Sequence, residues 1–236
     1  MIPVHTIDEF VKRIREAGGA NIESVILFGS AVAGDFHPDL SNLNMFCVLR
    51  DASFESLRAL SPVVKWWDMQ KQPPPQCMTR HELERSTDVF TIELLDMKQQ
   101  HRVLYGEDVL QGLQIPMDLH RVQVEYELRE KLILLRQHLI VTAEKDSRLA
   151  EVMQRSVSSF CTLFRHALIA LGQPAPQGKR EAVKALERHL NLDFSAVLEV
   201  LDARERKMDL KKTNISDLAS RYLNAISAVA AAVDAA

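Results

Sequence analysis

Gly29 and Ser30 close a short apolar run, Ser24-Val25-Ile26-Leu27-Phe28, and their types suit phosphate chemistry. A glycine at a strand end lets the backbone come close to a triphosphate. A serine opening a helix presents a hydroxyl and oriented N–H groups to phosphate oxygens. Asn42 and Asn44 stand two residues apart at the start of a second apolar run. Side chains at i and i+2 of a strand project to one side, so these two amides are expected to point together into the cleft beside the phosphates. The plain alternative is that Ser41-Asn42 caps a strand or turn.

The elements that must position these residues follow from periodicity. Thr6 caps a first helix, about Thr6 to Ala17, whose Ile7, Phe10, Val11 and Ile14 recur at helical spacing, and Gly18-Gly19 stops it. Ser24–Phe28 and Leu43–Leu49 read as central strands of a covered sheet, joined by a loop containing Gly29, Ser30, Gly34 and Pro38. Ser53–Gln70 reads as helical, with Pro62 opening a second segment and Pro73-Pro74-Pro75 ending it. A short strand near Gln76–Met78 and a helix around His81–Arg85 follow. Val89–Met97 reads as a third strand, which carries Glu93, and His101–Tyr105 as its continuation or a further edge strand.

Beyond Asp118 the pattern changes to apolar residues recurring at three and four. Five helices are expected: Asp118–Thr142, Asp146–Leu171, Lys179–Leu190, Phe194–Lys207 and Ile215–Val233. The expected fold is an α+β domain over 1–115, a small mixed sheet with flanking helices, followed by an all-α bundle over 116–236. Residues through Ile115 hold 11 basic and 16 acidic side chains, a balance of −5. The remainder holds 18 and 16, or +2, giving the overall −3. Neither part has the basic balance of an obligate nucleic-acid binder. No stretch reaches a membrane span, and the N-terminus lacks a basic segment joined to an apolar run, so the expected compartment is the cytoplasm. Cys47, Cys77 and Cys161 are odd in number and widely spaced, which suggests neither a disulfide framework nor a structural zinc site.

Leu27-Phe28-Gly29-Ser30, the loop through Pro38, and Ser41-Asn42-Leu43-Asn44-Met45 together resemble the signature of the nucleotidyltransferase superfamily, which includes DNA polymerase beta and kanamycin nucleotidyltransferase. In that family a strand ends in Gly-Ser, a turn leads into a helix, and the next strand begins with Asp-x-Asp. Val103-Leu104-Tyr105-Gly106-Glu107-Asp108 is similar to a segment of bacterial members. The resemblance covers roughly Val25 to Asp108. It implies nucleotide binding at Gly29 and Ser30, metal positions at 42 and 44, and a third carboxylate at Glu93, as a ligand or a base toward an acceptor hydroxyl. Asp96 competes with Glu93 from the opposite face. The resemblance also implies that the helical domain covers the open side of the cleft and supplies any acceptor pocket.

This chain departs from the family at the point of chemistry, because Asn-Leu-Asn stands where Asp-x-Asp is expected; Ala33 also stands where many members have arginine. Nucleotidyl transfer uses two divalent ions held by carboxylates. Magnesium prefers charged oxygen ligands, whereas an asparagine offers one neutral carbonyl oxygen beside an NH₂ of the wrong polarity. Three readings follow. The first is a catalytically degraded nucleotidyltransferase, with no bound metal, whose Gly29-Ser30 turn is left to bind a nucleotide or a partner. The second is an active Mg-dependent enzyme moving NMP from NTP to a hydroxyl of an aminoglycoside-type small molecule or a protein, using Glu93 with Asp35 or Asp39. The third is a structural or oligomerisation module. No G-x-S-x-G, H-E-x-x-H or G-x-x-x-x-G-K-[ST] pattern offers another chemistry. Arg165-His166, Arg188-His189 and Arg136-Gln137-His138 have the wrong spacing for the helical ribonucleases that partner some nucleotidyltransferases.

Overall fold

Ile7, Phe10 and Ile14, one helical face apart, build the first helix, α1 (Val4–Gly18), and all three are buried. The computed structural model describes residues 4–33, 41–210 and 213–236. After a 3₁₀ turn at Gly19–Asn21 the chain enters β1 (Ile22–Phe28), and a short helical turn, α2 (Ser30–Ala33), follows Gly29. β2 (Asn44–Leu49), α3 (Phe54–Met69), β3 (Gln76–Thr79), α4 (Arg80–Arg85), α5 (Thr91–Gln99) and β4 (His101–Gly106) complete a first unit that extends to Met117.

The four strands form one mixed sheet in the order β3-β2-β1-β4. β1 runs antiparallel to both β2 and β4, while β2 and β3 are parallel. Alternation divides the side chains between two layers. Val25, Leu27, Met45, Cys47 and Leu49 pack under α1 and α3, where the rings of Phe10 and Trp67 lie 4.5 Å apart. Ile26, Phe46 and Val48 face the other way, against Leu83 of α4, Leu94 and Met97 of α5, and Val109, Leu110 and Leu113.

Three expectations are corrected. α1 already runs from Val4, so Thr6 lies inside the helix and does not cap it. Pro62 lies inside a continuous α3 and opens no second segment. A proline frees the carbonyl four residues earlier, here that of Arg58; both residues are exposed, where solvent can offset the loss, while Leu60, Val63 and Trp67 hold the helix down. The segment expected as a third strand is α5, a helix: Thr91, Ile92, Leu94 and Met97 bury one helical stripe, and the Thr91 hydroxyl donates to the carbonyls of Thr87 and Asp88. The strand that joins β1 is β4, at the edge of the sheet.

The second unit, Asp118–Ala236, contains no strand among its described residues. Its helices are α6 (His120–Thr142), α7 (Asp146–Ala170), α8 (Lys179–Leu190), α9 (Ser195–Arg204) and α10 (Ile215–Asp234), and α7 packs against the other four. That central position explains why Phe160, Cys161, Leu163, Phe164, Ala167 and Leu168 are buried nearly all round the helix. Polar groups on α7 find partners across the bundle: half-buried Ser156 bonds the hydroxyl of Tyr222 at 2.9 Å, and buried His166 bonds His120 at 2.9 Å. The α+β domain with a following helical bundle is therefore the fold, and no described helix is long and apolar enough to cross a membrane.

Candidate functional site

At the end of β1 the sheet brings three positions into one row. Phe28 pairs with Asn44 of β2 on one side and with His101 of β4 on the other. The next residue, Gly29, turns the chain with φ +77, a conformation that L side chains rarely adopt. A Cβ there would sit 3.0 Å from Nδ2 of Asn44, so the asparagine amide lies directly against the glycine. The turn closes when the Val32 N–H donates to the Gly29 carbonyl at 2.9 Å, which starts α2 at Ser30. Gly29, Ser30 and Asn44 are thus contiguous.

Asn42 precedes β2 and is exposed, while Asn44 is half-buried at the first strand position. Between them the Leu43 N–H donates to the side-chain carbonyl of Gln72 at 2.7 Å, and the Gln72 amide in turn donates to the Gln70 carbonyl. Gln72 sits just after α3 and before the three prolines, so the end of that helix fixes the backbone of the Asn42-Leu43-Asn44 segment. The role of Gln72 had no signal in the sequence, because a lone glutamine after a helix matches no pattern.

Glu93 stands exposed in the first turn of α5 rather than on a strand, so the strand alternation that set Asp96 on the opposite face does not apply. Its helix covers the sheet face that carries Phe46, two residues along from Asn44. Asp96 is half-buried on the same helix. Asp35 and Asp39 lie outside the described residues. Among the described residues no three His, Cys, Asp or Glu side chains cluster so as to hold a metal ion. With neutral amides at 42 and 44, the described donor set does not fit a pair of magnesium ions.

His101 was not expected at the site. Its Nδ1 donates to the Met97 carbonyl at 2.8 Å, and Nε2 faces both oxygens of Asp108 at 3.0 and 3.1 Å. The link ties the end of α5 and the segment after β4 to the row containing Phe28 and Asn44. Burial pushes the Asp108 carboxyl up, but the His101 hydrogen bond and the N–H groups of Gln111 and Leu110 outweigh it, leaving the group below its ordinary 3.8. A depressed native value stabilises the fold above the unfolded-state value and withdraws that support as pH falls through the native one. Urea unfolding of the wild type should therefore lose stability from about pH 5 downward more steeply than Asp108→Asn does. Equal slopes would remove Asp108 from this role.

A family model for the nucleotidyltransferase domain matches residues 7–150, well over half of the chain. The match runs through the whole sheet unit, across α6 and into the start of α7. A mixed sheet with a Gly-Ser turn at the end of its first strand, followed by a helical unit, defines the class. The chain belongs to the nucleotidyltransferase domain family. Among solved structures it is similar to spectinomycin adenyltransferase AAD(9) from Enterococcus faecialis, solved with ATP and spectinomycin. The TM-score is 0.58 at 16% identity, over 94% of this chain and 99% of that one, a likeness of fold. The comparison with curated proteins finds no match.

Proposed function

We propose that this nucleotidyltransferase-fold protein has lost the metal-dependent transfer step and keeps a nucleotide site at the Gly29-Ser30 turn, with Asn42 and Asn44 at the positions of the family's metal-binding carboxylates. The observation that carries the reading is the placement of Asn44, whose amide lies 3.0 Å from the Cβ position of Gly29 at the phosphate-type turn. A carboxylate there would add a negative charge where two divalent ions are needed. An amide adds none and meets a triphosphate as a neutral donor.

On this reading residues 1–115 form the nucleotide-binding domain and 116–236 a helical domain, in a protein of the cytoplasm. Glu93 remains the candidate acid, reaching from α5. The related fold solved with ATP and spectinomycin supports an active alternative, transfer of NMP from a Mg-bound NTP to a hydroxyl acceptor. That alternative needs Glu93 and a loop acid, Asp35 or Asp39, in place of the asparagines.

Thermal-shift and calorimetric titration with the four NTPs, each with and without Mg²⁺ or Mn²⁺, separates the readings. The expected result is stabilisation independent of metal, about 2.7 kcal/mol when a ligand reaches 100 times its Kd. Binding that requires metal would favour the active enzyme. No response to any nucleotide would leave the fold as a structural or oligomerisation module.

A further inference from the structure

Cys47 of β2 and Cys77 of β3 are register partners in the parallel pair, with Phe46↔Gln76 before them and Val48↔Met78 after them. Parallel neighbours lie about 4.7–4.9 Å apart, inside the 4.4–6.8 Å Cα separation that a disulfide spans. Both side chains enter the layer beneath α1 and α3: Cys47 is fully buried there, and half-buried Cys77 packs against the same cluster. Both thiols are free, and neither contributes to the Gly29–Asn44 site.

We propose that Cys47 and Cys77 form a redox-active dithiol, which a peroxide oxidises to a disulfide across the β2–β3 edge of the sheet. The two sulfurs are unequal. The hydrogen bond from Cys47 lowers the Cys77 thiol below its ordinary value against the opposing effect of burial, and the same bond, with burial, raises Cys47. Cys77, reachable at the edge strand, is the attacking thiolate. It takes one oxygen of the peroxide; the O–O bond breaks, hydroxide leaves, and two electrons pass from sulfur to peroxide, giving the Cys77 sulfenic acid. The Cys47 sulfur then attacks the Cys77 sulfur, the S–O bond breaks, and the departing hydroxide takes the Cys47 proton and leaves as water. The bond forms three residues along β2 from Asn44, and just beyond the turn whose Gln72 holds Leu43.

The test treats the intact chain with hydrogen peroxide, counts thiols after unfolding, and maps the peptides. Two of the three thiols should disappear, with a Cys47–Cys77 linked peptide that dithiothreitol restores. Cys161, whose thiol burial pushes up to about 12, should stay free as an internal reference. Cys77→Ser should prevent the loss of any thiol. Cys47→Ser should stop the reaction at a Cys77 sulfenic acid that dimedone traps; should that variant not fold, the wild-type map and Cys77→Ser decide. Retention of all three thiols, loss of one alone, or a link through Cys161 would overturn the proposal.

Discussion

Isothermal titration of the double variant Asn42→Asp/Asn44→Asp with Mn²⁺ and a non-hydrolysable NTP should give metal binding about ten- to a hundredfold tighter than the wild type, or about 1.4–2.7 kcal/mol. A unit charge near 4 Å from a cation is worth on the order of 4 kcal/mol at an effective dielectric constant of about 20. The exposure of Asn42 lets solvent screen part of that, and the half-buried Asn44 contributes the larger share. The single Asn44→Asp change should therefore recover most of the gain, because its carboxylate would sit against Gly29 at the turn. Transfer itself also needs the right acceptor, so metal affinity is the direct readout. Tight metal–nucleotide binding by the wild type, or no gain in the double variant, would sink the view of this cleft as a nucleotidyltransferase site without its metals.

Gly106→Ala is the substitution with the largest expected effect on stability. Gly106 ends β4 at φ +79, and a Cβ there would drive into the backbone carbonyl of Glu23 on β1. Neither partner is a flexible side chain, so the two strands would have to separate. Nearby, the Ser24 hydroxyl donates to the carbonyls of Glu107 and Tyr105 at 2.8 and 3.2 Å, which fixes the crossing of β1 and β4. Strained backbone and overpacking each cost about 1–3 kcal/mol, so the loss should reach roughly 2–6 kcal/mol. Gly172→Ala provides the comparison, since Gly172 has φ +66 and nothing within 4 Å of its Cβ position. It carries the conformational cost alone, about 1–2 kcal/mol. Urea unfolding of the two variants measures the difference, and equal losses would show that the Glu23 carbonyl yields freely.

The two central strands were legible because both of their faces are covered, which leaves unbroken apolar runs such as Val25–Phe28 and Met45–Leu49. The helical unit was legible for the opposite reason: its apolar residues recur at three and four over long stretches free of proline. α5 was misread because Val89-Phe90-Thr91-Ile92 is rich in β-branched and aromatic types, and nine residues are too few for periodicity to outweigh them. The burial of Leu94 and Met97 against the sheet decided the matter, a tertiary influence with no local trace. At the site, Gly29, Ser30 and Asn44 could be placed by order along the chain, since β1, the turn and β2 are consecutive. His101 and Gln72 could not, because each reaches its place through a strand pairing or a helix end that spacing does not encode.

The short edge strand bears on how the molecule behaves at high concentration. β3 has only four residues, and Pro73-Pro74-Pro75 leads into it. An open sheet border is a template on which a second chain can build, by taking its free N–H and C=O groups. Three successive prolines offer no N–H, and their fixed φ keeps the approach to the border from extending into further strand. At the opposite border the pairing of β4 with β1 is interrupted between Val25 and Ile26, and the Arg15 guanidinium lies 4.1 Å over the Tyr105 ring. A sheet of four strands is thereby guarded against sideways growth at its margins, rather than by net charge, which is only −3.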